Sequence, residues 1–252
     1  MTLDILMPFY GRFDHFEQAV KSVLAQTDPD WRLTIVDDVY PDPAPGIWAE
    51  NLDDPRIGYR RNYQNRGPSR NYNKCGTLAS TEFVVIMGCD DMMLPGYVAR
   101  VHELVEQFPD ADVIQPGVSV IDENGLPSRP LTDIAKRWYR LGGARTRQFS
   151  GEQLASSLLR GNWTYFPSLA GRREQLVRFG FRTDLDVVQD LAMLLDIVKA
   201  GGTLVLDDDV VFNYRRHSGS LSALTAPDGS KFVQERTLFY EAAQSSAARP
   251  KC

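Results

Sequence analysis

FVVIMGCDD, at residues 83–91, is the stretch that indicates the fold most clearly, because an apolar run ends there in two adjacent aspartates. Residues 83–87 are the most hydrophobic run of the chain, which is typical of a central strand covered on both faces. Shorter apolar runs predict further strands at residues 3–7, 33–36, 57–61 and 113–114. Apolar residues recur at helical spacing between these runs. The alternation predicts an α/β fold, with a mostly parallel sheet and helices on both faces.

The alternation changes after residue 120. Residues 131–149 are basic and carry no clear pattern, whereas residues 186–200 read as a helix closed by two glycines. Two short strands are predicted at residues 203–206 and 210–214. We therefore expect one compact domain with a soft internal boundary near residue 120.

Composition excludes several classes of protein. The chain has 252 residues, 43% of them hydrophobic and 24% charged, as in an ordinary globular protein. A net charge of −5 gives no basic field for a nucleic acid partner. No apolar run approaches the ~20 residues of a transmembrane helix, and residues 1–4 do not resemble a secretory signal. Three cysteines without metal-like spacing argue against a disulfide framework or zinc site. A cytoplasmic protein is the expectation.

Polar residues follow the predicted strands at residues 8–12, 37–38 and 88–91. In open α/β sheets ligands bind at the carboxyl ends of the strands. The adjacent carboxylates of Asp90 and Asp91 suit a hard divalent cation, which in turn can bind phosphate oxygens. The alternative is that one of them only caps the following helix or turn.

Six motifs in order make the chain resemble the family 2 glycosyltransferases of GT-A (Rossmann-like) fold, from about residue 3 to residue 222. Members of this family move a sugar from a nucleotide-activated donor with inversion. The motifs are PFY at 8–10, VDD at 36–38, NRG and SRN at 65–71, IMGCDD at 86–91 with LPG at 94–96, QD at 189–190, and YRRH at 214–217 ahead of Ser220.

The resemblance implies how the donor is held. The residues expected to bind the nucleotide sugar are Pro8, Tyr10, Arg12, Asp38, Arg70 and Asp90. Asp38 would accept a hydrogen bond from the base or ribose, and Arg70 would contact the base or diphosphate. A guanidinium suits either task, although Arg70 as a solvated helix residue is the alternative.

The resemblance also implies a divalent metal, Mn²⁺ or Mg²⁺, on the donor diphosphate. Asp90 and Asp91 would hold it, and His217 would complete the site or contact the diphosphate, with the following loop closing over the donor. Gly88 stands where many members carry an acidic residue, so a weakly metal-dependent site is an open alternative. Arg215 and Arg216, next to His217, suit an anion-binding lid.

Asp190 is the candidate catalytic base. It lies at the edge of an apolar helical stripe, where burying a carboxylate costs free energy unless the group is paired or has a catalytic role. The resemblance places the family's base at this position, usually after Glu and here after Gln189. The alternative is a structural pair with Arg172 or Arg173.

Several residues could contact the acceptor. The aromatic faces of Trp163 and Tyr165 suit stacking on a sugar ring, with a buried aromatic cluster as the alternative. The basic segment at residues 134–147 could contact an anionic acceptor or a membrane surface, or be simply solvated. His15 and His102 suit surface positions and receive no role.

The predicted function is inverting transfer of a sugar, from a UDP- or dTDP-linked donor, to a hydroxyl on a glycan, a lipid-linked acceptor or a small glycoside. Residues 1–120 would bind the donor, residues 121–228 would supply the acceptor site and base, and residues 229–252 would form a terminal helix and tail. Two alternatives stay open: a degenerate partner subunit that binds nucleotide sugars or glycans, and a sugar nucleotidyltransferase. The oligomeric state is undetermined.

Overall fold

The computed structural model describes residues 1–142, 145–185, 187–220, 233–234, 236–238 and 240–241. In this part of the chain the strands are β1 Leu3–Phe9, β2 Trp31–Asp37, β3 Ile57–Arg61, β4 Phe83–Ile86, β5 Met92–Met93, β6 Val113–Ile121, β7 Thr146–Ser150, β8 Ala170–Arg172 and β9 Thr203–Arg215. The helices are α1 Phe13–Leu24, α2 Ala44–Glu50, α3 Pro68–Leu78, α4 Tyr97–Gln107, α5 Leu131–Tyr139, α6 Gly151–Gly161, α7 Arg173–Phe179 and α8 Gln189–Lys199. A 3-10 turn covers Phe166–Ser168.

All of these strands belong to one mixed sheet. Its order is β3-β2-β1-β4-β8-β6-β9-β5, and β7 pairs with β9 outside this path. The β3-β2-β1-β4 part is parallel, as is the β6-β9 pair, whereas β8 runs antiparallel to both β4 and β6. The predicted α/β class, a mostly parallel sheet in a single domain, is confirmed.

Helices cover both faces of the sheet, as predicted. Alternate side chains of β1 point to opposite faces: Ile5 and Met7 pack in one buried cluster with α1 and α4, and Leu6 packs in the other with α3, α6 and α8. Both clusters are essentially inaccessible to water, which makes apolar burial the main stabilising term of the domain.

The prediction of two strands at 203–206 and 210–214 is wrong in one respect, because both segments belong to the single strand β9. The acidic run between them stays extended because Arg100 and the Thr146 hydroxyl bond the buried Asp207 carboxylate. The pairing register between β6 and β9 shifts at Gly117 of β6. A Cβ at this position would lie 2.6 Å from the Asp209 backbone. Only glycine fits there.

The segment without a clear pattern, residues 131–149, resolves into α5 and β7. The helix predicted from residue 186 begins at Gln189, so Asp190 lies in its first turn. Asp186 lies outside the described residues, as does most of the predicted tail at 229–252, whose described residues are helical. None of the described helices is long and apolar enough to cross a bilayer.

Candidate active site

A cleft of about 1040 Å³ opens at the carboxyl ends of β1, β2 and β4. Residues from both sides of position 120 line it, as a parallel sheet requires when its loops meet at one edge. Most of the candidate residues line this cleft: Pro8, Tyr10, Arg12, Asp38, Asp90, Asp91, Tyr165, Asp190 and His217. The structure thus brings together side chains that lie more than 200 positions apart.

Two of the candidates do not line the cleft. Arg70 is exposed on α3, outside the lining of the cleft, and its expected contact with the base or diphosphate stays a prediction. Trp163 is only 1% exposed, and its indole Nε1 donates to the Ser157 hydroxyl at 2.9 Å. The expectation that its ring stacks on a sugar is wrong, because the ring belongs to the core between α6 and the sheet.

Asp38 shapes the loop at residues 62–67, which borders the cleft at the end of β2. Its buried carboxylate accepts hydrogen bonds from Asn62 Nδ2 at 2.7 Å and from the amides of Arg66 and Gly67, both at 2.9 Å. These bonds use much of the acceptor capacity that we expected it to offer a base or ribose. The Asp38 carboxylate, which accepts from three donors, therefore serves mainly to hold the loop in place.

The next residue, Val39, adopts a left-handed backbone with φ +64°. This conformation is rare for a β-branched residue and costs energy. Bonds on either side hold it: the Asp37 carboxylate accepts the Tyr40 amide at 2.7 Å, and Asn65 Nδ2 donates to the Asp38 carbonyl at 2.9 Å. The turn orients Tyr40 edge-on to Tyr10, with ring centroids 5.5 Å apart, in the aromatic wall of the cleft.

Gly88 leaves the space into which Asp90 and Asp91 turn. A Cβ at residue 88 would lie 2.5 Å from Asp91 Oδ2 and 2.9 Å from Asp90 Oδ1. Two carboxylate oxygens therefore converge on the space that the missing side chain of residue 88 leaves. Burial, followed by the charge of Asp90, raises the pKa of the Asp91 carboxyl well above its usual range. A cation at this point would offset both effects.

His217 joins this acidic pair. Its Nε2 is 2.8 Å from Asp90 Oδ2, and its ring packs edge-on against His15, with centroids 5.3 Å apart. His15 is buried at the cleft rather than on the surface as expected, and burial lowers its pKa. Its Nε2 is 3.0 Å from the Glu123 carbonyl, and its Nδ1 has no hydrogen-bond partner in the described chain.

The fit of a divalent metal depends on these donors. Among the described residues, no group of three or more His, Cys, Asp or Glu side chains is arranged to hold a metal ion. The Asp90 and Asp91 carboxylates, with the His217 imidazole adjoining, are donor groups of the kinds that divalent cations take, but by themselves they form an incomplete ligand set.

Arg215 is a structural brace and does not form the expected anion-binding lid. It is 1% exposed, and its guanidinium donates to the Asp90, Asp122 and Glu123 carbonyls. Its backbone amide donates to Asp91 Oδ1 at 2.8 Å. Burial lowers its pKa, although the acids around it oppose this. Arg215 therefore fixes the position of both aspartates from the far end of the chain.

Arg216 turns the other way and lines the cleft. Its guanidinium makes a paired contact with the buried Asp133 carboxylate, with Nε–Oδ2 at 3.0 Å and Nη2–Oδ1 at 2.9 Å. The Tyr165 hydroxyl donates to the same carboxylate at 2.9 Å, and the Lys136 ammonium lies 4.2 Å from the Tyr165 ring centroid. Helix α5 is thereby tied to the side of the cleft that Tyr165 and Arg216 line.

Asp190 lines the cleft from the first turn of α8. Of the arginines in the structural alternative, Arg172 donates to Glu82 and to two backbone carbonyls, and Arg173 donates to the Ala79 carbonyl. Tyr72 lies near both Asp190 and Asp90. Burial raises its pKa, and the two carboxylates raise it further.

The chain is similar in sequence to known glycosyltransferases. The sequence model described as Glycosyl transferase family 2 matches residues 4–173. An uncharacterized protein of Mycobacterium tuberculosis is 26% identical over 232 residues, which cover 86% of this chain and 68% of that protein. A Campylobacter jejuni protein named GalNAc(5)-diNAcBac-PP-undecaprenol beta-1,3-glucosyltransferase is 35% identical over 159 residues, 60% of this chain and 49% of its own length.

The fold has solved counterparts. Residues 1–349 of Staphylococcus aureus TarS, in complex with UDP-GlcNAc, match with a TM-score of 0.69 and 16% sequence identity. The match covers 88% of this chain and 61% of that one. The chain thus spans about half of the Campylobacter relative and 61% of the TarS chain.

Proposed function

The chain belongs to glycosyl transferase family 2, and from that premise we propose that it moves a sugar from a UDP- or dTDP-linked donor to an acceptor hydroxyl with inversion. The observation that carries this proposal is the placement of Asp190 and the Asp90–Asp91 pair in one cleft. A base for the acceptor and an anchor for the leaving diphosphate are what a direct displacement needs.

Asp190 is the proposed general base. Its carboxylate takes the proton of the acceptor hydroxyl while that oxygen attacks the anomeric carbon. The bond from the anomeric carbon to the diphosphate oxygen breaks, and its electron pair leaves with the nucleoside diphosphate. Attack opposite the leaving group inverts the configuration.

At the donor end, Asp90 and Asp91 would hold a divalent cation, Mn²⁺ or Mg²⁺, with His217 beside them. When bound, such a cation supplies charge neutralisation for the departing diphosphate. This chain's own contribution is to hold the aspartates in place: the Arg215 amide and guanidinium bond Asp91 and the Asp90 carbonyl, respectively.

The end of the cleft at Tyr165, which we take as the acceptor end, supports a proposal for the acceptor class. Tyr165, with its hydroxyl held by Asp133, presents a ring to the cleft and is the proposed acceptor contact. The Campylobacter relative is named for an undecaprenol-linked acceptor. A glycan, either free or lipid-linked, is the proposed acceptor for this chain.

The test of the base is Asp190→Asn, which keeps the shape of the side chain and removes its basicity. Transfer should fall by about 10²–10⁴-fold, while donor binding stays unchanged. The matched control is Asp196→Asn, on the same helix and paired with Lys199 away from the cleft lining. Full transfer activity in Asp190→Asn would refute the assignment, and retention of the anomeric configuration in the product, read by NMR, would refute inversion.

The donor is identified by thermal shift with UDP, dTDP, GDP, CMP and ADP, each with and without Mn²⁺. A ligand at 100 times its Kd stabilises the fold by about 2.7 kcal/mol. A metal-dependent shift with UDP or dTDP supports the proposal. A shift without metal assigns the diphosphate to the protein's cations, and binding without any donor hydrolysis or transfer favours a degenerate binding subunit.

A further inference from the structure

Helix α5 carries an apolar stripe that faces away from the cleft. Leu131, Ile134 and Trp138 are 83%, 37% and 80% exposed, respectively. Their i, i+3, i+7 spacing places them on one side of the helix. Water-exposed isolated apolar residues are ordinary, but a stripe that runs the length of a helix indicates a contact surface.

The opposite side of the same helix belongs to the cleft. Asp133 is buried and bonds Tyr165 and Arg216, and Lys136 lines the cleft and donates to the Thr164 carbonyl at 2.8 Å. Whatever covers the stripe therefore lies one helix diameter, about 10 Å, from the acceptor end of the cleft.

Cations lie at both ends of the stripe. Arg129 is exposed just before α5, and Arg160 lines a cavity of about 570 Å³ together with Trp138 and Tyr139. Neither arginine has a hydrogen bond or ion pair within the described part of the chain. Both guanidinium groups are therefore available to an anionic partner, despite the chain's net charge of −5.

Three arginines of the basic segment at 134–147 are less available. Arg140 and Arg147 pair with Asp208, and Arg145 pairs with Asp209. The sequence-based hypothesis of a membrane contact through the whole segment at 134–147 therefore needs a different physical basis, which the apolar stripe and its two terminal arginines provide.

We propose that α5 docks on the surface of a phospholipid bilayer, with Leu131, Ile134 and Trp138 at the acyl boundary and Arg129 and Arg160 at lipid phosphates. An apolar stripe containing Trp, flanked by cations, is the pattern of a helix that lies in the membrane interface. Docking in this orientation brings the acceptor end of the cleft beside the membrane. The docking surface is independent of the proposed chemistry, and only its use for a lipid-linked acceptor rests on the proposed function.

The experiment is co-sedimentation of the full chain with vesicles of phosphatidylcholine alone and of phosphatidylcholine with phosphatidylglycerol. We expect binding that is stronger to the anionic vesicles and that weakens with salt. The double variant Leu131→Ser with Trp138→Ser should lose about tenfold or more in partitioning to either vesicle, because its apolar insertion is removed. Arg129→Ala with Arg160→Ala should lose only the preference for anionic vesicles.

The control is Tyr63→Ser, which removes a fully exposed aromatic residue that lies outside both α5 and the lining of the cleft. Each variant is checked for an unchanged melting temperature and an unchanged thermal shift with nucleoside diphosphate, so loss of docking is distinguished from loss of the donor site. Absence of vesicle binding, or binding that survives the Leu131 and Trp138 changes, overturns the proposal. A concentration-dependent dimer that these changes abolish would also overturn it, and would assign the stripe to a second copy of the chain.

Discussion

His217 Nε2 lies 2.8 Å from Asp90 Oδ2, although 127 positions separate the two residues along the chain. The contact joins the carboxyl end of β4 to the segment after β9, and His217 is only 12% exposed by its side chain. The His15 ring packs edge-on against the His217 imidazole. The geometry makes His217 an internal partner of the acidic pair rather than an incidental loop residue.

Removal of that imidazole should weaken donor binding. For His217→Ala we expect the Kd for the nucleoside diphosphate to rise about tenfold or more, because the variant loses the proposed contact of the imidazole with the diphosphate, and a hydrogen bond to a charged group contributes about 1.5–3 kcal/mol. Isothermal titration calorimetry with UDP or dTDP measures this Kd. His102→Ala is the matched control, since His102 pairs with Asp28 and does not line the cleft. Equal affinity and turnover in His217→Ala and the unchanged chain would remove His217 from the site.

A methyl group at residue 88 should displace the acidic pair. Gly88→Ala places a Cβ within 3 Å of carboxylate oxygens of both Asp90 and Asp91, so we expect turnover to fall at least tenfold and any metal-dependent thermal shift to shrink. Gly58→Ala on β3 is the control, because a Cβ there meets nothing within 4 Å. If Gly88→Ala transferred sugar at the normal rate, the space at residue 88 would be irrelevant to the site.

Asp4 should make stability depend on acid pH. Burial opposes its ionisation, but the amides of Ser80 and Thr81 and the Arg32 guanidinium outweigh it and hold the pKa below its ordinary value of 3.8. A lowered pKa in the folded state means that this stabilisation is present above the unfolded value and is lost as the pH falls through the folded one.

We therefore expect Asp4→Asn to reduce the free energy of unfolding by about 1–3 kcal/mol at pH 7, and by progressively less below about pH 4. Urea unfolding at several pH values measures the difference. Asp53→Asn, at an exposed loop position, should leave the unfolding free energy nearly unchanged. A deficit in Asp4→Asn that does not shrink in acid would contradict the pKa direction.

Val39 should be a site of stored backbone strain. Its φ of +64° suits glycine, and relief of about 1–2 kcal/mol of strain exceeds the roughly 0.5–1 kcal/mol that glycine loses to chain entropy. Val39→Gly should thus raise the melting temperature slightly. Gly67→Ala is the opposite change, because it adds a side chain at a residue with φ +73°. Since a Cβ there meets nothing within 4 Å, backbone strain alone should lower the melting temperature. A lower melting temperature for Val39→Gly would show that the valine side chain stabilises the fold by more than its backbone costs.

The sequence by itself determined the class of the fold and the neighbourhood of the site. The apolar run at 83–87 is typical of a central strand covered on both faces, and residues 83–86 form β4. The polar residues after β1, β2 and β4 then had to meet, because the carboxyl ends of parallel strands share one edge. These inferences need only local patterns and the geometry of a sheet.

Tertiary structure alone decided which side chains are available in the cleft. Trp163 and Arg215 looked accessible along the chain, but Trp163 packs in the core and Arg215 bonds carbonyls of residues about 90 and more positions away. His15 shares one side of α1 with the small residues Ala19 and Ser22, a weak sign of burial that sequence reasoning passed over. Burial and hydrogen bonding of a side chain depend on partners from other elements, and no local spacing specifies them.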